Sequence, residues 1–376
     1  MIESFIVYTF LLLAMVSLSR VYASVPLNKH YGINEITFWI IILLFSLFMG
    51  MRYNVGVDYP AYLNMYHNAA NGVLPNVEIL FSCFTYFLAQ LSIHYSVYFG
   101  LLAGAQVVFL YLTFKDEDVK ILPYLSFILI AGSYFLGWMN VIRQNLVLCI
   151  FIYTIPTLLL KRRITIYLCV VVLLSLVHKS ALILIVFYPL LYRRQDYTFN
   201  IYLQLLIFSI AFVFGRIGIV NNFLEYGFNI FSKILGYSSY EYLKALDRTV
   251  EINTGLGVLV LYTIDIIIIA FSNKLKVYFK DTNFLIFYQL YFWGRVFQII
   301  VGPNIIFARP FLYMYSFKMI VSAYFLRFTW EQFKRNFNGI FFIGVSFMYI
   351  LLFLATIMRG EMSKNAYSFF WQVGSL

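Results

Sequence analysis

The chain has 376 residues, of which 62% are hydrophobic and only 11% are charged, and its mean hydropathy is +0.84. These values exclude a soluble globular domain and predict an all-α, polytopic integral membrane protein. The net charge of +11 does not indicate a nucleic-acid partner, because the basic residues lie in short loops between apolar runs instead of forming a patch or a tail.

The residues around the cysteines and at the N-terminus also support an interpretation of each. Cys83, Cys149 and Cys169 lie in apolar runs without a paired spacing, so we expect free, buried thiols. No basic region precedes the first apolar run, so residues 1–19 are expected to form a retained helix and not a signal peptide. Neither a metal-ligand spacing nor a glycine motif for phosphate is present, and no metal or cofactor is expected.

The N-terminal part of the chain predicts two membrane helices and an external segment. Apolar runs at 3–19 and 36–51 predict the helices, joined by a short basic loop that contains Arg20. Because short cytoplasmic loops are rich in Lys and Arg, this loop is expected inside. Residues 52–95 then lie outside as a polar motif loop and a re-entrant or interfacial helix over 79–91, which is too short and too polar to cross.

The remaining apolar runs predict further membrane helices. They cover residues 96–114, 121–137, 144–160, 164–178, 181–192, 199–215, 256–272, 284–301, 311–326 and 339–357. Together with the first two they predict about 12 spans in a single transmembrane domain over residues 1–376. The basic turn Lys161–Arg163 falls inside on this topology. A long hydrophilic segment, 216–255, falls outside and is expected to contain short amphipathic helices.

This topology places several charged side chains at the outer ends of helices, where a polar group needs water or a partner. Arg143, Arg309 and Arg52 are the leading candidates for binding a diphosphate, because a planar guanidinium binds phosphate oxygens in bidentate fashion. If a lipid diphosphate leaves a sugar, such a cation stabilises the transition state electrostatically. His178 and Asp58 are the candidates for the base that removes a proton from an acceptor hydroxyl.

Each of these assignments has a structural alternative. Arg143 can extend to the lipid headgroups, His178 can hydrogen-bond a backbone carbonyl, and Asp58 can form a turn beside Gly56. Asp265 lies inside an apolar run, where an unpaired carboxylate is costly, so we expect it to be protonated or partnered. An interhelical hydrogen bond is favoured for it over a proton pathway.

Three motifs together resemble one known family. They are RYNVGVDYPAY at 52–62, NVIRQNLVLCI at 140–150 and SLVHKSALILI at 175–185. Their order and spacing resemble the EpsG-like family, which groups with the Wzy-type polysaccharide polymerases, over residues 36–190. The resemblance implies a polymerase with a GT-C-like glycosyltransferase architecture. It would join undecaprenyl-diphosphate-linked oligosaccharide repeat units at the periplasmic face of the bacterial inner membrane, and its product would be O-antigen, capsule or exopolysaccharide.

The resemblance also implies roles for the motif residues. It carries over to Arg52, Gly56, Asp58, Tyr59, Arg143, Gln144, His178 and Lys179. The expected catalytic residues are Asp58, His178 and Arg143. The expected substrate-binding residues are Arg52, Tyr59, Gln144 and Lys179, joined through their external placement by Arg216, Arg248 and Arg309. Tyr59, Tyr237 and Tyr240 are expected to stack on sugar faces.

The expected partners are the undecaprenyl-diphosphate-linked oligosaccharide and membrane lipids, together with chain-length regulator and flippase proteins. Three other functions stay open: a flippase or transporter of the lipid-linked oligosaccharide, a polytopic O-acyltransferase, and an O-antigen ligase. A transporter predicts repeat-related halves and ionisable groups near the bilayer midplane. Asp265 and Arg295 are the residues that favour it.

Overall fold

The computed structural model describes residues 2–24, 31–217, 255–302, 311–333, 339–360 and 364–375. Every regular element in this part of the chain is helical, and its only extended pairing is an isolated antiparallel bridge between Arg52 and Phe369. The chain forms two compact units. The first is Met1–Arg194 with Thr329–Leu376, and the second is Gln195–Phe328.

The helices follow in chain order. The first unit begins with α1 (Ile2–Ser24), α2 (Tyr31–Gly50), α3 (Tyr59–Ala70), α4 (Ile79–Gln90) and α5 (Tyr95–Glu117). It continues with α6 (Leu122–Ala131), α7 (Tyr134–Asn140), α8 (Ile142–Thr154), α9 (Ile164–Ser175) and α10 (Phe187–Leu191). The second unit contains α11 (Ile201–Ile217), α12 (Leu256–Ala270), α13 (Ser272–Tyr278), α14 (Phe284–Val301) and α15 (Leu312–Tyr315). Helix α16 (Phe317–Gln332) leads back into the first unit, which ends with α17 (Ile340–Met358).

Among the described residues, five helices are long and apolar enough to cross a membrane. They are α1, α5, α8 with its continuation to Leu159, α14 and α17. Two bent pairs also pass the length and hydropathy test, one made by 119–131 with α7 and the other by α12 with α13. The chain is therefore a multi-pass membrane protein.

Three hydroxyl groups connect the helices at the centre of the first unit. Ser19 of α1 lies 2.7 Å from Tyr111 of α5 and 2.7 Å from Ser126 of α6, measured between side-chain oxygens. The hydroxyls of Tyr111 and Ser126 are 2.5 Å apart. Because these buried groups satisfy one another, they join three apolar helices by hydrogen bonds that lipid could not replace.

Helices α2 and α5 approach closely through small residues. A Cβ atom on Gly50 would lie 2.4 Å from the carbonyl oxygen of Ser96, and one on Gly100 would lie 3.0 Å from the carbonyl oxygen of Ser46. Small residues allow this approach, which provides most of the attraction between helices in a bilayer.

The two ends of the chain meet at one face of the first unit, which we call the terminal face. The side-chain amide of Gln372 donates to the carboxylate of Glu3 at 2.7 Å. The N–H of Tyr367 donates to the hydroxyl of Ser4 at 2.9 Å.

The C-terminal residues 364–375 also bind the motif loop 52–58 at this face. The N–H of Tyr53 donates to the carbonyl of Ser368 at 2.8 Å, and the N–H of Gly56 donates to the carbonyl of Lys364 at 2.7 Å. Backbone hydrogen bonds with a distant segment therefore fix a loop that has no regular structure of its own.

Several predicted spans are broken. The predicted span 121–137 bends by 65° because Gly132 ends α6 and Ser133 adopts a left-handed backbone conformation with φ of 59°. The predicted span 256–272 bends by 56° after Ala270, where α13 continues with lysines suited to a membrane surface. Helix α8 changes to a π turn over Ile155–Leu159, where Pro156 lacks an N–H.

Other boundaries also differ from the prediction. The span 164–178 ends at Ser175, and the span 181–192 is a 3₁₀ helix over Lys179–Val186 followed by α10. The span 311–326 consists of the short α15 and the longer α16. Arg20, which was expected in a loop, lies inside α1, because that helix continues to Ser24.

The thiol prediction is correct in one part and wrong in another. Cys83, Cys149 and Cys169 are all free, as expected. Only Cys149 is buried, however, because the other two lie on the outward sides of α4 and α9.

Replacing Gly50 by Val should destabilise the contact between α2 and α5. The added side chain would meet the Ser96 carbonyl, and such overpacking costs about 1–3 kcal/mol. Gly344→Ala in α17 is the matched control, because a Cβ atom there meets nothing within 4 Å. Thermal unfolding of the purified proteins in detergent compares the two. Equal midpoints for Gly50→Val and the wild type would contradict the proposed close contact.

Candidate functional site

Arg52, the first residue of the motif loop, is buried, with 1% of its surface exposed. Its guanidinium donates through Nη1 to the carbonyl of Met49 and through Nη2 to the carbonyl of Met139 at 3.4 Å. It also lies 5.6 Å from the ring centre of Tyr59 and 4.8 Å from that of Phe99. Burial lowers the pKa of Arg52 to about 10, so the side chain stays charged at neutral pH. These contacts join the motif loop to α2, α5 and α7.

Gly56 connects the motif loop to Asn140 at the end of α7. Its φ is +101°, and a Cβ atom would lie 2.4 Å from the amide oxygen of Asn140. Only glycine combines this backbone conformation with this contact. The same oxygen accepts the N–H of Asp58 at 3.4 Å. Because Arg143 follows three residues after Asn140, the loop positions the start of α8 at the terminal face.

Glu78 precedes α4, and its carboxylate binds groups from two other segments. Nη1 of Arg143, in the first turn of α8, donates to Oε2. Nδ1 of His178 lies 3.3 Å from Oε1, and the backbone N–H of Lys179 donates to the same oxygen at 3.1 Å. We call Glu78, Arg143 and His178 the Glu78 cluster. It brings together the second and third sequence motifs.

The local fold explains why His178 reaches this carboxylate. Helix α9 ends at Ser175, and the backbone of His178 is extended, with φ of −156° and ψ of 117°. The N–H of Leu80 in α4 donates to the carbonyl of Leu176 at 2.9 Å. The end of α9 therefore packs against the start of α4, next to Glu78.

The Glu78 cluster is partly open to its surroundings. The side chains of Glu78, Arg143 and His178 are 10%, 21% and 18% exposed, respectively, so a ligand can reach the cluster while its electrostatic interactions are screened less than at a free surface. Burial alone would raise the pKa of Glu78. The N–H groups of Lys179 and of Glu78 itself, and then the charges of Arg143 and His178, hold that pKa below its ordinary value of 4.5.

Arg143 has further neighbours from α3 and α4. The hydroxyl of Tyr62 hydrogen-bonds Arg143 and lies within electrostatic range of Asp58. The guanidinium lies 5.6 Å from the ring centre of Phe81. Its Nε is buried and has no hydrogen-bond partner among the described residues. An unsatisfied buried donor costs about 1–3 kcal/mol, so an anionic ligand oxygen would be favoured here.

Helix α4 begins and ends at the terminal face. At its start, Glu78 binds Arg143, which the contact between Asn140 and the motif loop places there. Just after its end, the ring of His94 lies 4.8 Å from the ring of Phe370 in the C-terminal segment. The segment from Glu78 to His94 therefore returns to the face from which it starts.

The other predicted substrate-binding residues of the first unit lie in different environments. Gln144 is fully buried in α8, and Tyr59 is 1% exposed beneath the motif loop. The side chain of Lys179 is exposed next to the Glu78 cluster. Of these three, only Lys179 offers its side chain to a ligand at the surface.

The second unit contains a buried ionic cluster around Asp265. Arg295 donates to Oδ2 through Nη2 at 2.6 Å and through Nε at 3.0 Å. Nζ of Lys318 lies 2.9 Å from Oδ1, which also accepts the hydroxyl of Tyr291 at 2.9 Å. Asp265 is therefore partnered between helices, as expected from its position in an apolar run.

Arg216, near the end of α11, stacks on the ring of Phe212 at 5.2 Å from its centre. The remaining predicted residues Arg248, Arg309, Tyr237 and Tyr240 lie outside the described residues, as does most of the segment 216–255.

A family model described as the EpsG family matches residues 35–369. The chain belongs to the EpsG family. This is a Wzy-like polymerase family, and membership indicates a function of the polysaccharide-polymerase type. The match covers residues of both units, whereas the three motifs are confined to the first half of the chain. No curated protein and no solved structure matches this EpsG-family chain.

Sequence reasoning missed three residues that contribute to the candidate site of this EpsG-family chain. Glu78 is an acidic residue directly before an apolar helix, and the predicted topology puts it on the same side as Arg143 and His178. The negative charge of Glu78, opposite to that of Arg143, is the sequence signal for their contact. Tyr62 and Asn140 lie inside recognised motifs, but only the three-dimensional contacts show which motif residues they touch.

Replacing Glu78 by Gln should destabilise the EpsG-family chain at neutral pH by about 1–3 kcal/mol, because Arg143 would lose its carboxylate. The folded pKa of Glu78 lies below the unfolded value. Its contribution is therefore fully present above pH 4.5 and is lost as the pH falls through the folded pKa. Thermal unfolding between pH 7 and pH 3 measures this difference.

Glu35→Gln is the control, since Glu35 is an exposed carboxylate of α2 in the same unit. Its stability at pH 7 should differ from that of the wild type by about 0.5 kcal/mol or less, the usual effect of a surface substitution. A Glu78→Gln protein whose deficit stays constant down to pH 3 would show that the carboxylate does not stabilise the cluster.

Proposed function

We propose that this EpsG-family protein polymerises oligosaccharide repeat units at the periplasmic face of the bacterial inner membrane. The reaction is glycosyl transfer from an undecaprenyl-diphosphate-linked donor to a hydroxyl of the next lipid-linked unit. The observation that carries the proposal is the Glu78 cluster, in which a guanidinium and an imidazole lie on one carboxylate at the terminal face. The guanidinium suits the leaving diphosphate, and the imidazole suits the proton of the acceptor hydroxyl.

The charge distribution supports an external position for this face. Arg143 begins the 18-residue segment Ile142–Leu159, which is about 27 Å long at about 1.5 Å per residue. The basic turn Lys161–Arg163 follows its other end, and such turns favour the cytoplasm. The return of α4 to the terminal face supports an interfacial helix in the proposed GT-C-like architecture.

Arg143 is proposed to stabilise the leaving group. As the acceptor oxygen bonds to the anomeric carbon of the donor, the bond between that carbon and the diphosphate oxygen breaks, and negative charge develops on the diphosphate. The guanidinium of Arg143, whose buried Nε has no hydrogen-bond partner among the described residues, would stabilise this developing charge. Tyr62 and Phe81 fix the guanidinium in place.

His178 is proposed to take the proton of the acceptor hydroxyl. Its Nδ1 lies 3.3 Å from Oε1 of Glu78. If this nitrogen carries a hydrogen, the lone pair of Nε2 is left to accept the proton. Glu78 also stabilises the imidazolium that forms when the proton arrives. Asp58 acts through Tyr62 as a positioning residue for Arg143 in this scheme.

Cell-free turnover of a purified lipid-linked repeat unit tests these roles. We expect Arg143→Gln to lower the polymerisation rate by about 100-fold or more, the effect of removing a donor to a developing anion. His178→Asn should lower it by about 100-fold as well, the usual contribution of a general base. Lys161→Gln is the control, because it removes one exposed cation from the turn at the other end of α8.

Product ladders separate the rival functions. Loss of a polymerase leaves single repeat units on the final acceptor, loss of a flippase blocks export, loss of an acyltransferase leaves normal chain lengths, and loss of a ligase abolishes attachment. If Arg143→Gln elongates chains at the wild-type rate, the proposed role of Arg143 in stabilising the leaving group is wrong. If the wild type makes no polymer from the lipid-linked unit, the proposed function itself fails.

A further inference from the structure

The second unit contains a cavity of about 300 Å³ at the end where α11 and α14 terminate and α12 begins. Four polar side chains line it: Arg216, Tyr262, Arg295 and Gln298. Apolar side chains and two glycines complete the wall. Lys274 and Lys276 lie beyond the other end of α12, so the charge distribution places this cavity in the outer half of the membrane.

The polar groups around this cavity are linked to one another. The guanidinium of Arg295 lies 6.0 Å from the ring centre of Tyr262, and Arg216 lies within electrostatic range of the Tyr262 hydroxyl. A Cβ atom on Gly215 would lie 2.0 Å from the carbonyl oxygen of Ile299, so α11 and α14 are in backbone contact beside it. The four polar side chains therefore all belong to helices, two of which are in backbone contact.

Positive charge is in excess among the described residues around this cavity. Asp265, deeper in α12, is fully buried and binds both Arg295 and Lys318. Arg216 adds a third cation and takes part in none of the ion pairs found between described residues. Among the described residues, the cations at and next to this cavity therefore outnumber the carboxylates by two. Such an excess is costly in a membrane and favours an anionic ligand.

The size and chemistry of the cavity indicate which anion fits. Its volume of about 300 Å³ lies at the lower end of the range for ligand pockets, about 300–1,000 Å³, which suits a headgroup. Guanidinium, amide and phenol donors suit an anion with several oxygens, such as a diphosphate. The apolar part of the wall suits the first carbons of a lipid chain.

We propose that this cavity binds the diphosphate of a second polyprenyl-linked saccharide, the acceptor. The inference rests on the proposed function, because chain extension joins two substrates that each carry a lipid diphosphate. The diphosphate of the donor leaves its sugar during the reaction, and we assign it to the Glu78 cluster, which also contains the base. The diphosphate of the acceptor stays attached to its sugar. The cavity suits it because none of its described lining residues is a histidine or a carboxylate, and Arg295 and Lys318 bind the nearby Asp265.

Counting bound lipids tests this site. The full-length protein is placed in nanodiscs of zwitterionic phosphatidylcholine and titrated with sugar-free undecaprenyl diphosphate, and bound equivalents are counted by native mass spectrometry. We expect two equivalents for the wild type and one each for Arg143→Gln and Arg216→Gln. Arg216→Gln should weaken the second equivalent by about tenfold or more, and Arg216→Lys by less.

Lys274→Gln is the matched control, because Lys274 is an exposed cation of the same unit that also lies over a phenylalanine ring, at 5.1 Å from its centre. It should keep two equivalents. Retention of one equivalent by Arg216→Gln shows that this variant is folded.

Three results would overturn the second site: a single equivalent for the wild type, two equivalents of unchanged affinity for Arg216→Gln, or displacement of the second equivalent by phosphatidylglycerol at equal concentration. The last result would identify a general anionic-lipid site. If the wild type binds two equivalents but makes no polymer, the proposed function fails while the second site stands.

Discussion

The carboxylate of Glu78 is the interaction on which the site depends. Arg143 and His178 are far apart in the sequence and belong to different helical segments, and both bind this one group at the start of α4. A cation and an imidazole placed side by side would repel each other once the ring is protonated. The negative charge between them allows both to remain near a shared opening.

The rest of the first unit holds this carboxylate in position. Gly56 packs against Asn140 without room for a side chain, and this contact sets the start of α8 and hence Arg143. The motif loop is in turn hydrogen-bonded to residues 364–375 from the end of the chain. A site at one face of a membrane protein is thus fixed by segments from the beginning, the middle and the end of the sequence. This agrees with a family match that extends to residue 369.

The sequence predicts the parts of this structure that depend on local composition. The runs that form α5, α14 and α17 are predominantly apolar, and their predicted bounds differ from the observed ones by at most a few residues. The breaks after Gly132 and Ser175 were missed, because hydropathy does not report backbone conformation. The motifs identified Arg143 and His178, but the contact of both with Glu78 is long-range. A single sequence offers only complementary charge as a signal for it.

The most direct test of this account is a double-mutant cycle on Glu78 and Arg143, measured as the free energy of unfolding of four purified proteins: the wild type, Glu78→Gln, Arg143→Gln and the double variant. If the ion pair joins α4 to α8 as described, the two substitutions should be coupled by about 1 kcal/mol or more, and the double variant should be less destabilised than the sum of the single ones. Additive effects, within about 0.3 kcal/mol, would contradict the claim that Glu78 organises the site.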